Sequence, residues 1–235
     1  MRAFWVVFYL CGMNFLKWLR ANLVFFIPYG LLLITTGIYQ ILYRQGIISL
    51  WLNQHNSVWA DLFFKYATHL GDGRFCVVTG LLFLFWSRRK GLIALATFGV
   101  SGLISQLLKT QFFPQEPRPG QYFSKTLSYL HQVEGVELYL WNSFPSGHTT
   151  SAFALFALLA FWTTKPFYKI LCLLAAVTVA YSRLYLLQHF LVDVWVGSLL
   201  GTTVALLLER TPRWREGFRH KKAPILTNGA LKKMS

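Results

Sequence analysis

The sequence is poor in charge, and poorest in acidic charge. Asp, Glu, Lys and Arg make up 13% of its 235 residues, whereas about a quarter is usual for a soluble domain. Only eight residues are acidic, so a metal site built from several carboxylates, as Mg²⁺ and Ca²⁺ prefer, is not expected. Apolar residues take the place of the missing charge, at 55% of the chain. This balance argues against a soluble domain and indicates a membrane protein.

Cysteines are also few, and they have no recognisable spacing. Cys11, Cys76 and Cys172 each fall inside an apolar run. Three such isolated residues fit neither a disulfide framework nor a cysteine-ligated metal site. We therefore expect them to be packing residues.

The net charge of +15 would suit nucleic-acid binding, but its distribution would not. A nucleic-acid surface needs a basic stripe with interleaved aromatic residues. Here the basic residues form short blocks between apolar runs, such as Arg88-Arg89-Lys90, which is typical of cytoplasmic loops. Most of them lie on the side of the two chain termini, so the positive-inside rule predicts cytoplasmic termini. The expected partner is a lipid bilayer and not a nucleic acid.

Long apolar runs predict an all-α fold, a polytopic membrane helix bundle. Leu23 to Leu42 is 20 residues without a charge, the length needed to cross a hydrocarbon core of ~30 Å. We predict six transmembrane helices, at residues 23–42, 75–86, 91–108, 149–163, 170–187 and 190–208. Apolar residues also recur at helical spacing from Trp59 to Leu70. That segment is expected to be an amphipathic helix on the membrane surface.

Neither a repeat nor a low-complexity linker divides the chain, so we predict one six-helix membrane domain at residues 22–209. Residues 1–21 begin with an apolar run of signal-peptide length, but no small-x-small cleavage site follows it. An interfacial helix at residues 1–21 is therefore the favoured interpretation. Residues 210–235 are basic and are expected to form a cytoplasmic tail attracted to anionic lipid.

The segment from Ser182 to Asp193 places three ionisable residues inside this apolar surrounding: Arg183, His189 and Asp193. Ionisable groups at membrane depth are costly and usually mark a functional site. His189 and Asp193 are four residues apart, which places them on one helix face. A carboxylate that accepts from one ring nitrogen prepares the other as a nucleophile or base. The alternative is a polar pair that only ties two helices together.

Two further segments add an anion site. Pro145-Ser146-Gly147-His148 directly precedes an apolar run, so the N–H groups of Ser146, Gly147 and His148 should lie at a helix N-terminus, which favours anions. Lys109 and Arg118-Pro119 add two cations just past another apolar segment. Together with the first segment, these residues indicate a phosphate site with an acid–base pair.

In these three segments the sequence resembles the type 2 phosphatidic acid phosphatases, a family related to vanadium haloperoxidases. The family pattern is Lys-x6-Arg-Pro, then Pro-Ser-Gly-His, then Ser-Arg-x5-His-x3-Asp. The second and third parts are present in full at 145–148 and 182–193. The first part departs from the pattern, because eight residues separate Lys109 from Arg118.

The resemblance implies a metal-independent lipid phosphate phosphatase without a cofactor. His189 would attack phosphorus while Asp193 orients it, and His148 would act as acid and then as base. The expected phosphate-binding residues are Lys109, Arg118, Ser146, Gly147 and Arg183. A vanadate-dependent haloperoxidase is disfavoured, because six apolar spans do not suit a soluble helical fold.

The expected substrate is a membrane lipid phosphate at the outer face of a bacterial cytoplasmic membrane. Undecaprenyl diphosphate is slightly favoured, since its recycling takes place on that face. Phosphatidic acid, phosphatidylglycerol phosphate and a lipid A phosphate are the other substrates that the resemblance implies. Phosphate transfer to a second lipid, or a non-catalytic lipid-phosphate carrier, are the alternative functions. The presence of both His148 and His189 argues against the carrier, because binding alone needs neither.

Four polar residues outside the motifs receive simpler interpretations. Asp72 and Arg74 flank a Gly before an apolar run and are expected to be a helix-start pair, with a role at the site entrance as the alternative. His69 and His131 are expected to be solvated surface residues.

Overall fold

The computed structural model describes residues 15–210. Within that range the regular secondary structure is helical, without any β-strand. Residues 15–21 are helical. The predictions for residues 1–14 and for residues 211–235 of the basic tail lie outside the described residues. The all-α prediction is confirmed.

Eight helices of two turns or more form the described chain from residue 23 onwards. They are α1 (Leu23–Leu42), α2 (Ile47–Gln54), α3 (Val58–Ala67), α4 (Gly73–Trp86), α5 (Arg88–Leu107), α6 (Gly147–Trp162), α7 (Pro166–Tyr185) and α8 (Leu191–Arg210). Short turns connect some of them: 3₁₀ turns at Thr68–Gly71 and Leu127–Tyr129, a π-helical turn at Leu108–Phe112 and one α-turn at Pro119–Tyr122.

Four helices are long and apolar enough to cross a membrane: α1, α5 with its π-helical extension, α7 and α8. The other two predicted spans are shorter helices, with 14 residues in α4 and 16 in α6. At 1.5 Å per residue these reach only about 21 and 24 Å. Four of the six predicted spans are therefore confirmed as helices of sufficient length and apolar character to cross a membrane, and the six-span topology stays a prediction.

Helix α6 is the centre of the bundle. Its residues are apolar or small on every side, and twelve of the sixteen are buried, as expected of a helix with no polar face. It packs against α5, α7 and α8. Its N-terminus, which carries the Pro-Ser-Gly-His motif, is consequently fixed from three directions.

Two glycines on α8 allow that helix to lie close against α6. A Cβ at Gly197 would come 2.8 Å from the Ser146 carbonyl oxygen, and one at Gly201 would collide with the Thr150 carbonyl oxygen. Both positions agree with the close approach predicted for small residues. The same prediction is wrong for Gly147, because a Cβ there would meet no atom within 4 Å. Gly147 instead begins α6, where it leaves open space beside the helix N-terminus.

Helix α3 projects apolar side chains outward. Ser57 caps it by accepting from the Ala60 N–H, and none of its residues is buried. Trp59 and Phe63 are 82% and 56% exposed. The amphipathic helix predicted for this segment is confirmed as a helix, and its apolar exposure suits a membrane surface.

All three motifs lie at one end of the bundle. The C-termini of α5 and α7 meet the N-termini of α6 and α8 there, and the loop from α5 to α6 covers them through bonds such as Ser143 Oγ–H to Asp193. The opposite end carries basic residues, including Arg89 and Arg210. Because α5 and α7 run toward this end and α6 and α8 run away from it, segments that are distant in the sequence meet in one site.

Candidate active site

His189 and Asp193 form a buried pair in the turn from α7 to α8. Each is 2% exposed, and His189 Nδ1 lies 3.3 Å from Asp193 Oδ2. The same oxygen accepts from the Phe190 N–H at 2.8 Å. A carboxylate beside Nδ1 favours a proton on that nitrogen and leaves the lone pair of Nε2 unprotonated. The predicted side-chain pair is therefore present, although the bend before Leu191 means that only Asp193 is helical.

Ser143 is a member of this cluster that sequence reasoning missed. Its Oγ–H donates to Asp193 Oδ2 at 2.5 Å and lies 3.4 Å from His189 Nδ1. The residue is buried in the loop just before Pro145. Its position two residues before the Pro-Ser-Gly-His motif was the one available signal, and it is too general to identify a contact with Asp193.

The electrostatic surroundings keep His189 neutral. Burial lowers the pKa of His189 well below its usual range, and the positive charges of Arg118, Arg183 and Lys109 lower it further. Nε2 faces the Arg118 guanidinium, whose Nη1 is 3.5 Å away. A neutral imidazole whose free nitrogen points at a cation is suited to attack an anionic group held by that cation.

Arg118 is held by backbone carbonyl groups. Its Nε donates to the Trp141 carbonyl at 2.8 Å, and its Nη1 donates to the Gln188 carbonyl at 3.2 Å. Since no carboxylate hydrogen-bonds to it among the described residues, its positive charge remains available to a ligand.

Arg183 is 6% exposed and is also held by neutral partners. Its Nη1 donates to Thr68 Oγ1 at 2.8 Å. Its Nε–H is buried without an acceptor in the described part of the chain. A buried donor of this kind is costly unless a ligand satisfies it, which favours a phosphate oxygen at this position.

Gln188 links the two guanidiniums and was not singled out from the sequence. Its Oε1 lies 3.4 Å from Arg118 Nη1 and 3.4 Å from Arg183 Nη2. Its own amide donates to the Glu137 carbonyl in the covering loop. Gln188 is the last of the five unspecified positions between Arg183 and His189 in the third motif, so the motif does not single it out.

Lys109 lies in the site despite its unusual spacing from Arg118. Its Nζ donates to the Asn142 carbonyl at 2.9 Å, and Arg118 Nη2 donates to the same oxygen at 3.4 Å. Lys109 belongs to the π-helical turn Leu108–Phe112, which packs one more residue into a turn than an α-helix does. The irregular segment between Lys109 and Pro119 absorbs the two additional residues.

The N-terminus of α6 faces the same region. Ser146 is its N-cap and accepts from the Thr149 N–H and hydroxyl, at 3.4 and 3.0 Å. The predicted set of three free N–H groups is wrong at Ser146, whose N–H donates to the Asp193 carbonyl at 3.0 Å. The N–H groups of Gly147 and His148 are left without intrahelical acceptors, as expected of a first turn.

His148 is paired with Asp72, which corrects the helix-start interpretation of that carboxylate. His148 Nε2 lies 2.7 Å from Asp72 Oδ1, and His69 Nδ1 lies 2.7 Å from Asp72 Oδ2. Asp72 does occupy the N-cap position of α4, but its side chain makes no capping bond. The alternative, a role at the site, agrees with this geometry.

His131 is also partnered rather than simply solvated. Its Nε2 lies 2.8 Å from Asp61 Oδ2, which ties the covering loop to α3.

Cys76 is buried and Cys172 half-buried, and both are free thiols, which agrees with a packing role. Within residues 15–210, no group of three or more His, Cys, Asp or Glu residues is arranged to hold a metal ion.

An apolar helix bundle with a histidine–aspartate pair beside three cations defines a class of protein, the membrane phosphatases. The PAP2 superfamily profile matches residues 90–216, more than half of the chain. This protein belongs to the PAP2 superfamily and is a membrane lipid phosphatase, which confirms the resemblance seen in its motifs.

Individual relatives agree with this assignment. Phosphatidylglycerophosphatase B of Bacillus subtilis is 29% identical over 177 residues, which is 69% of this chain and 80% of that protein. Undecaprenyl-diphosphatase of Sulfolobus acidocaldarius is 32% identical over 133 residues, 55% of this chain and 59% of that protein. The crystal structure of Aquifex aeolicus LpxE has a TM-score of 0.60 and 27% identity, covering 72% of this chain and 96% of that one.

Proposed function

We propose that the protein hydrolyses the phosphate or diphosphate of a membrane lipid through a phosphohistidine at His189. The observation that carries the proposal is the ring geometry of His189. Asp193 lies at Nδ1, whereas Nε2 faces Arg118 at 3.5 Å. A phosphate bound to the guanidinium would therefore place its phosphorus next to the free lone pair.

In the first step Nε2 of His189 forms a bond to the terminal phosphorus, while the bond from that phosphorus to the oxygen of the departing lipid alcohol, or of the departing lipid phosphate in a diphosphate, breaks. His148 donates its proton to that leaving oxygen. In the second step water attacks phosphorus, His148 accepts the water proton, and the bond to Nε2 breaks. Asp193 stabilises the positive charge that develops on the His189 ring and fixes its tautomer.

The non-bridging oxygens are held by Lys109, Arg118 and Arg183. These three positive charges lie close enough to act on His189, and they stabilise the charge that shifts in the transition state. The open N–H groups of Gly147 and His148 add the positive end of the α6 dipole. The N–H of Ser146 already donates to the Asp193 carbonyl. Ser146 therefore contributes through its hydroxyl group, which also caps α6. The positively charged side chains thus neutralise the charge of the phosphate, and no metal or cofactor is required.

Undecaprenyl diphosphate is the favoured substrate. One relative is named for that activity, and an outer-face site would meet this lipid during its recycling. Phosphatidylglycerol phosphate is the main alternative, because another relative is named for it. Phosphatidic acid and a lipid A phosphate are further alternatives of the same chemistry.

We propose an outer-face position for the site in a bacterial cytoplasmic membrane, with both termini in the cytoplasm. This topology uses six spans, with α4 and α6 crossing as short helices. Basic residues at the end opposite the site, such as Arg89 and Lys165, support that orientation. The exposed apolar side chains of α3 would then lie at the outer interface.

Transfer of the phosphate to a second lipid is the nearest competing function, since water and a lipid hydroxyl can attack the same phosphohistidine. A non-catalytic carrier would keep the cation cluster, but it would not need a buried histidine with a carboxylate at Nδ1. Product analysis separates these functions.

The test is phosphate release by the detergent-purified protein from a panel of the four lipid phosphates, in the presence of EDTA. We expect release that resists EDTA and disappears in His189→Ala, with the highest kcat/KM for undecaprenyl diphosphate. If EDTA abolishes release, the metal-independent mechanism is wrong. If the folded protein binds the lipids without release or transfer, the carrier replaces the phosphatase.

A further inference from the structure

Asp72 lies outside the three motifs, yet it contacts a residue of the proposed acid–base step. It follows the 3₁₀ turn Thr68–Gly71 and precedes α4. A Cβ on Gly71 would come 2.7 Å from the His148 carbonyl oxygen, so this turn is fitted closely against the first turn of α6. The turn is also bonded to α7, because Arg183 donates to Thr68.

Both oxygens of Asp72 are used by histidines. Oδ1 lies 2.7 Å from His148 Nε2 and Oδ2 lies 2.7 Å from His69 Nδ1. The exposed fraction of the His69 side chain is 62%, against 32% for Asp72 and 34% for His148. The carboxylate is therefore held from the solvent side while it faces the site.

The charge of Asp72 suits this position. Burial alone would raise its pKa, but the hydrogen bond from His69 and the charge of His148 outweigh burial and lower the pKa of Asp72 below its usual value. Arg183 also faces it, and the Cys76 thiol lies close by on α4. Asp72 is consequently an anion at neutral pH, in a site otherwise dominated by cations.

That anion meets a requirement of the proposed mechanism. His148 must carry two ring protons before it can act as an acid, yet the charges of Arg183 and Arg118 reach it. A doubly protonated imidazole among guanidiniums needs a counter-charge. Asp72 Oδ1 lies 2.7 Å from His148 Nε2, close enough to supply that counter-charge.

We propose that Asp72 is a positioning residue for His148: it accepts from Nε2–H, stabilises the imidazolium, and so reserves Nδ1 for proton exchange with the substrate. This inference rests on the proposed function. The proton on Nδ1 passes to the leaving oxygen in the first step, and Nδ1 receives a proton from water in the second. The bond between Nε2–H and Asp72 persists throughout, with His69 fixing the other oxygen.

The test compares two phosphate substrates in Asp72→Asn. The lipid is a monophosphate, phosphatidic acid, whose alkoxide leaving group needs a proton, whereas the leaving group of p-nitrophenyl phosphate does not. We expect the kcat for the lipid to fall by about 10- to 100-fold, which is part of the ~10²–10⁴ that a positioned general acid typically contributes. With p-nitrophenyl phosphate, the first turnover should remain fast and be followed by slow hydrolysis, so that a burst of nitrophenolate appears and phosphorylated enzyme accumulates. Asp72→Glu should recover part of the lost kcat.

Asp61→Asn is the matched control. Asp61 is bonded to His131 at 2.8 Å and makes no contact with His148, so its variant should retain the leaving-group dependence of the unmodified protein. A purely structural role for Asp72 would reduce turnover of both substrates equally, without a burst, and would overturn the inference. So would an unchanged kcat for the lipid.

A different result would show that the proposed function itself is wrong. If the unmodified protein forms no phosphoenzyme that depends on His189, the phosphohistidine mechanism itself is wrong. If that phosphoenzyme forms and Asp72→Asn behaves like the unmodified protein, only the role of Asp72 is wrong.

Discussion

At the scale of single residues, the proposed chemistry depends on the pair of His189 and Asp193. Asp193 Oδ2 receives hydrogen bonds from Ser143, Phe190 and His189, so its position is fixed by three donors. A carboxylate held in this way can maintain one tautomer of the neighbouring ring while charge develops on it. The free Nε2 is then directed at the cations for every substrate that enters.

Asp193→Asn should therefore lower kcat by about 10²- to 10⁴-fold. The Asn amide group can donate to Nδ1, which would favour the tautomer of His189 with its proton on Nε2. Because the amide is neutral, it also cannot stabilise an imidazolium. The measurement is phosphate release from the preferred lipid, with KM determined separately. Retention of more than half of the kcat would contradict the proposed orientation of His189.

The buried state of His189 also predicts a pH dependence of stability. Its pKa is lowered in the folded state relative to about 6.5 in the unfolded chain, so the unfolded state binds the proton more readily. The stability linked to His189 is complete above pH 6.5 and decreases as the pH falls through the interval between the two pKa values. Thermal unfolding between about pH 7 and pH 5 should thus show a smaller decrease in Tm for His189→Gln than for the unmodified protein.

The control is His55→Gln, since His55 lies at the C-terminus of α2 with an exposed side chain. Its Tm should follow the pH profile of the unmodified protein. Identical profiles for the His189 and His55 variants would exclude a buried neutral His189.

The position of Lys109 in the site gives a further prediction, which the unusual spacing between Lys109 and Arg118 alone could not support. Because Lys109 and Arg118 donate to the same carbonyl of Asn142, Lys109→Met should lower kcat/KM by about 10²-fold through loss of one charge in the site. Lys125→Met removes an exposed lysine of the same loop and should leave kcat/KM within about twofold. Equal kcat/KM values for the two variants would remove Lys109 from the site.

At the scale of secondary-structure elements, the close contact of α8 with α6 positions both halves of the site. Gly201 faces the backbone of α6 at Thr150 and Ala154, so a methyl group there must separate the helices. Gly201→Ala should reduce the free energy of unfolding by about 1–3 kcal/mol. Thermal or denaturant unfolding in detergent measures this loss.

Gly99→Ala on α5 is the control, because a Cβ at Gly99 would meet no atom within 4 Å. In the helix interior this substitution should be neutral or stabilise by up to about 1 kcal/mol. If both alanine variants have the same stability, close packing of α6 and α8 does not limit the fold.

The elements also show what the sequence could predict and what it could not. Hydrophobic length located six apolar helices, and motif spacing located His148, Arg183, His189 and Asp193, because these signals are local. Ser143 and Gln188 were missed, and Asp72 was assigned to a helix start with a role at the site entrance only as the alternative. The contacts of these residues depend on how helix ends meet, which neither periodicity nor spacing records. The N–H of Ser146 was misjudged for the same reason: its acceptor, the Asp193 carbonyl, is 47 positions away in the chain.

At the scale of the whole molecule, the polar site lies at one end of an apolar bundle, and a second group of basic residues, which includes Arg89 and Lys165, lies at the other end. We propose that the site end faces outward. With single cysteines in a cysteine-free protein, Glu134→Cys in the covering loop should react with an impermeant maleimide in intact cells. Lys165→Cys, exposed between α6 and α7, should react only after the membrane is permeabilised. The reverse pattern would invert the topology.

The central claim is that phosphate passes through His189. The most direct measurement is acid-free denaturation of the enzyme during turnover of a ³²P-labelled lipid phosphate in EDTA, followed by identification of the labelled peptide. We predict an acid-labile, base-stable phosphate on the peptide that contains His189, and none in His189→Ala. Turnover without label on that peptide, or label that persists in the variant, would contradict the mechanism.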